Sequence, residues 1–255
     1  MSAYESLACS YDSLTQDIPY ENMLHYMEAL LQRHDVHPQS VLDLACGTGS
    51  MSVLMAKRGY RVLGADLSED MLAMAYDKAA ELEENRPYFI CQSMVTLRLP
   101  VPVDWVVCCL DSLNYVTDPK DCSRALSRVY RALNPGGVLI FDINSAEKLR
   151  GLDGQVFLDE TEDTYCVWRA EFDEEENICY YGMDLFQCEG DVWNRSFEEH
   201  REYAYTVEQL TGFLEQAGFE DIEVYGDQSF CAPLPDEKRI YFFARKPERE
   251  DLNHG

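Results

Sequence analysis

A chain of 255 residues, 46% hydrophobic and 27% charged, has the composition of a globular protein and the length for one large domain with an insert. Its 47 acidic residues against 21 basic ones leave a net charge of −26, a field that repels phosphate backbones and anionic membranes and so disfavours a nucleic-acid partner. No apolar run approaches the ~20 residues of a membrane span, MSAYESLACS lacks the features of a signal peptide, and ten cysteines without a CxxC pair read as reduced residues of a cytoplasmic protein without zinc.

In chain order, residues 17–33 read as an amphipathic helix. From Ser40 to Asn144, short apolar runs alternate with stretches of helical period. The runs are VLDLA (41–45), YRVLGAD (60–66), PYFICQ (87–92), VDWVVCCLD (103–111) and VLIFDIN (138–144). Strands this apolar are covered on both faces, which predicts a doubly wound, Rossmann-like α/β sheet. The pattern then changes to alternating aromatic segments with turn signals at 174–177 and 189–191, the mark of an antiparallel β lid inserted over 146–205. Helical rhythm returns at 206–218, with Thr206 as N-cap and Gly218 as stop. Two strands follow at 219–226 and 239–246. The expected division is a main domain of 1–145 and 206–247 with the lid between, and a disordered tail over 248–255.

The chemistry sits in VLDLACGTGSMSVLMAKRGYRVLGADLSEDMLAMA, residues 41–75. A strand ends in an acid, a Gly-x-Gly turn opens a helix, and a second strand ends in another acid. Gly47 and Gly49 allow close backbone approach to a ligand. Asp66, 17 residues after Gly49, stands where a carboxylate can hold both ribose hydroxyls. A dinucleotide turn calls for G-x-G-x-x-G, and the third glycine is absent. Asp43 inside the turn repels a pyrophosphate and attracts an ammonium.

These stretches resemble the first and second motifs of class I S-adenosylmethionine-dependent methyltransferases, VLDLACGTG and GADLSEDML, with the match strongest over 38–145. The resemblance implies a seven-stranded sheet and S-adenosylmethionine as cofactor. The insert resembles the lid of glycine and aminosugar N-methyltransferases, and YDSLTQDIPYENMLHYM with LDSLNYV is similar to a bacterial group whose acceptor is not evident from sequence. By that likeness, Asp43 reaches the methionyl ammonium, Ala45 and Gly47 supply backbone contacts, and Gly49 keeps the turn open. Asp66 binds the ribose and Leu67 packs on the adenine. Ser93 stands where many relatives carry an acid for the adenine amine, which leaves a weaker neutral contact. Met94 covers the adenine face, Leu110 and Asp111 lie under the sulfonium, and Tyr11 and Tyr20 close over the methionyl end.

Transfer is expected by in-line displacement onto a nitrogen, or an oxygen, of a small molecule. Asp111, Tyr115 and His200 are the candidate bases. The plain reading of Asp111 is a capping residue, and that of His200 a surface side chain in an acidic hairpin. Between Asp159 and Glu202 the lid carries 15 acids and three arginines. Facing inward these favour a cationic or amine acceptor; facing outward they are solvated, and the sheet could also pair two chains as a homodimer. The alternatives are an NAD-dependent oxidoreductase and a non-catalytic methyltransferase-like subunit that binds a partner through its acidic insert.

Overall fold

Helix α1 (Tyr20–Arg33) turns Met23, Leu24, Met27, Leu30 and Leu31 to one side, the three- and four-residue spacing of an apolar helical stripe. The computed structural model describes residue 12 and residues 17–248; Tyr11 and the tail from 249 onward lie outside the described residues. Strands and helices then alternate as β1 (Ser40–Leu44), α2 (Ser50–Lys57), β2 (Arg61–Asp66), α3 (Glu69–Ala80), β3 (Tyr88–Cys91), β4 (Val103–Cys108), α4 (Pro119–Ala132) and β5 (Leu133–Asn144). Asp118 caps α4 by accepting from the Lys120 amide, with Pro119 in the first turn, where its missing N–H costs nothing.

After β5 come a short helix α5 (Ala146–Gly151) and the lid strands β6 (Val156–Glu160), β7 (Thr164–Asp173), β8 (Ile178–Glu189) and β9 (Val192–Tyr203). Helix α6 (Val207–Ala217), β10 (Glu220–Gly226) and β11 (Arg239–Arg245) close the chain. Thr206 and Gln209 form a reciprocal capping box on α6, and Gly218 ends it at φ 101°, a left-handed conformation that suits glycine. The sequence pattern located all of these except β6 and α5, which are short and lack a full period.

The main sheet runs β10-β11-β5-β4-β1-β2-β3. Strands β1 to β5 are mutually parallel and β11 is antiparallel to both neighbours. One face packs Leu42, Val106, Leu139 and Phe141 under α4 and α6; the other packs Val41, Trp105, Val107 and Ile140 under α1 and α2. Each large side chain so buried contributes roughly 1.5–3 kcal/mol. Winding reverses between β1 and β4, and that opens a crevice beyond their C-terminal ends. The lid is a separate antiparallel sheet, β6-β7-β8-β9. Its last strand is tied to that crevice: Asn114 Nδ2 donates to the carbonyls of Asn144 and Tyr203 at 3.0 Å each. Among the described residues all nine cysteines are free thiols, and no helix is long and apolar enough to cross a membrane.

Candidate functional site

The crevice holds a cavity of about 480 Å³. Its floor is the turn between β1 and α2. Ala45 and Gly47 sit at φ 59° and 52°, and a side chain at Gly47 would meet nothing within 4 Å, so glycine is there for its backbone freedom. Gly49 differs from expectation. It is absent from the lining, and a Cβ on it would lie 2.9 Å from that of Ala75, so it serves the approach of α3 as well as the φ of 76° at the start of α2.

Two carboxylates aim at this turn. Asp43, 2% exposed, accepts from the Ser52 hydroxyl at 2.5 Å. Burial pushes its carboxyl up to about 7; the Ser52 hydrogen bond opposes the rise and the neighbouring Asp66 charge adds to it. Asp66 accepts from the Gly47 amide at 2.8 Å and the Ser68 amide at 2.9 Å, which fixes its carboxylate at the rim with lone pairs left for two hydroxyl donors. Leu67 is exposed on the rim, and Met94 lines the wall beyond it. Ser93 also lines the cavity, with its hydroxyl accepting from the Val95 amide at 3.3 Å. Tyr20, at the start of α1, closes one end.

The donor set discriminates between adenosine ligands. Asp43, Asp66, Asp118 and Asp121 line the cavity, and no Lys or Arg of the described residues does. A pyrophosphate would face carboxylates without a counter-charge. An adenosyl ligand with a sulfonium and an ammonium suits the same walls: Asp43 for the cationic end, Asp66 for the ribose diol, and Leu67 and Met94 for the base.

At the end of β4, Leu110 and Asp111 adopt consecutive left-handed conformations, φ 56° and 53°, uncommon for side-chain-bearing residues. Asp142, fully buried on β5, holds them there by accepting from the Leu110 amide at 2.9 Å and the Asp111 amide at 3.0 Å. Arg239 from β11 pairs with Asp142 and donates to Asp111 Oδ1 at 2.8 Å. Burial works against the Arg239 charge, and the Asp142 and Asp111 carboxylates outweigh it and raise its pKa. The reading of Asp111 as an open base is therefore corrected. Leu110 and Tyr115 line the cavity and Asp111 does not; its carboxylate is engaged by Arg239.

For His200 it is the surface reading that is corrected. It is 1% exposed, on the inner face of β9, with its ring 6.0 Å from that of Tyr115 and its Nε2 3.2 Å from Glu198 Oε2. Of the lid acids most are exposed, but Asp184, Glu198 and Glu202 are buried. Asp184 is held between Arg169 and Arg195. Glu202 accepts from Asn144 Nδ2 at 2.7 Å. Burial, with the nearby Asp111 charge, pushes Glu202 up to about 8 against the pull of Asn144 and Lys148. Glu202 and Glu198 escaped the sequence reading. The signal was their two-residue spacing about His200 in FEEHREY, which puts all three on one strand face.

Comparison with known proteins agrees with this geometry. Residues 41–137 match the family described as a methyltransferase domain. Over 246 residues the chain is 32% identical to the Bacillus subtilis (strain 168) protein named "Putative methyltransferase YqeM", covering 95% of this chain and 97% of that one. It is 26% identical over 231 residues to a glycine/sarcosine N-methyltransferase of Halorhodospira halochloris, across 83% of this chain and 76% of that one. The crystal structure of an S-adenosylmethionine-dependent methyltransferase from Clostridium acetobutylicum ATCC 824 superposes with a TM-score of 0.85 at 27% identity, covering 96% and 99% of the two chains. Likeness that runs nearly end to end, over a cavity charged for a cationic adenosyl ligand and not for a dinucleotide, places this chain among the class I S-adenosylmethionine-dependent methyltransferases.

Proposed function

We propose that the enzyme methylates a nitrogen of a small, amine-bearing molecule. The observation that carries this reading is the buried row Glu198, His200 and Glu202 on the inner face of β9, with His200 against Tyr115 at the cavity wall. S-adenosylmethionine, when bound, supplies an electrophilic methyl group on a sulfonium, open to in-line displacement. The protein aligns the acceptor and excludes water. An ammonium is attracted to the acidic row, yet must lose a proton before its lone pair can attack. Burial pushes Glu202 up to about 8, so it holds its proton at neutral pH until an arriving ammonium favours the ionised carboxylate, which then accepts the amine's proton. Asn144 and Lys148 hold that carboxylate in place: Lys148 Nζ donates to Asn144 Oδ1 at 2.7 Å, and Asn144 in turn donates to Glu202. The glycine/sarcosine N-methyltransferase likeness supports nitrogen as the acceptor atom.

Incubation with labelled S-adenosylmethionine and matched panels of small amines and small alcohols or phenols tests the proposal. Label is expected on amines, and Glu202→Gln is expected to lower turnover at pH 7 by about 10²-fold or more while cofactor affinity holds. Label confined to oxygen, or a Glu202→Gln enzyme with full turnover, contradicts it.

A further inference from the structure

The outer face of α4 reverses the charge of the molecule. In a chain of net −26, Lys120, Arg124, Arg128 and Arg131 fall on this one helix, against a single acid, Asp121. Lys120, Arg124 and Arg128 are four residues apart and so form one row, roughly 6 Å per step. With Ser123 and Ser127 they line a concavity of about 420 Å³ between α4 and α6, separate from the cofactor cavity. Like charges at this spacing repel, and the chain has acids in excess to neutralise them. Even so, of these four cations only Arg124 has an ion-pair partner among the described residues, Asp121 at 2.6 Å. Some cations elsewhere are paired, Arg58 with Glu21 and Glu28 and Arg245 with Asp221, but no other helix of the described residues gathers so many on one face.

We propose that this groove is a binding site for a small ligand carrying two or more phosphate groups. The Arg128 and Arg131 guanidinium forks match phosphate oxygens bidentately, with Lys120, the Asp121-paired Arg124 and the serine hydroxyls beside them. The size is that of a small-molecule site. The row spans about 12 Å from Lys120 to Arg128, room for two separated anionic groups. A long nucleic-acid strand leaving the groove would run along a surface of strongly negative charge, which favours a compact anion over a polymer.

Calorimetric titration of the intact protein with inorganic tripolyphosphate tests the site. One-site binding is expected, weakening steeply with added salt. Arg128→Gln with Arg131→Gln, both on the solvent side of α4 and away from the cofactor cavity, is expected to weaken it by about tenfold or more while S-adenosylmethionine affinity stays unchanged. Absence of binding at millimolar tripolyphosphate, or equal binding by the double variant, overturns the proposal. A single-stranded RNA oligonucleotide that binds more tightly than tripolyphosphate, and loses affinity in the same variant, overturns the small ligand in favour of RNA.

Discussion

Replacing Asp142 by Ala is expected to cost about 3–5 kcal/mol of folding stability, the range for removing one partner of a buried ion pair. Three losses coincide. Arg239, whose side chain is 20% exposed, is left with Asp111 alone, and the amides of Leu110 and Asp111 lose their acceptor. Those two residues hold left-handed conformations only because their surroundings over-determine them. Arg239→Met leaves Asp142 buried without its counter-charge and is expected to cost a similar amount. Both variants should also lose turnover, because Leu110 lines the cavity whose walls suit the cofactor. Denaturant unfolding with the activity of the folded fraction checks this. An Asp142→Ala protein within 1 kcal/mol of the parent contradicts the role assigned to the network.

The second large effect concerns Asp43 and Asp66. Asp66→Ala removes the carboxylate placed for the ribose hydroxyls and is expected to weaken S-adenosylmethionine binding by about 1.5–3 kcal/mol. Asp43 behaves differently because it titrates near 7 in the ligand-free protein, above the value near 4 of an unfolded chain. The folded state therefore holds this proton more tightly, and the stability the group contributes is full below about pH 4 and lost as pH rises through 7. An arriving ammonium favours the ionised carboxylate and expels the proton. Cofactor affinity should thus rise between pH 5.5 and 7, by up to about tenfold per unit, until the ligand's own α-amino group begins to deprotonate near 8. In Asp43→Asn that slope should vanish and affinity should fall. The ligand-free protein should be no less stable than the parent at pH 8. A parallel loss of ligand-free stability instead makes Asp43 a structural carboxylate.

The parallel core and the cofactor turn were legible in the sequence for local reasons. Apolar strands, Gly47 with its positive φ, Thr206 as cap and the acids at the ends of β1 and β2 are all set by residues near one another in the chain. Residues that act across the fold were not. Asp142 reads as one more residue of an apolar strand, and Arg239 lies 97 positions away, so nothing local announces that together they engage Asp111. Glu202 is one acid among many until the register of β9 turns it inward with His200. Gly49 was legible as a glycine needing freedom, but the nearness of Ala75 depends on how α3 packs.

The cavity's acidic walls suit S-adenosylmethionine and not a dinucleotide. Parallel calorimetric titrations of the purified protein with S-adenosylmethionine, S-adenosylhomocysteine and NAD test this preference most directly. Saturable binding of the two sulfur ligands and none of NAD is expected, since a pyrophosphate would lie against carboxylates with no Lys or Arg of the described residues in the lining. Binding of NAD with silence from both sulfur ligands would contradict it.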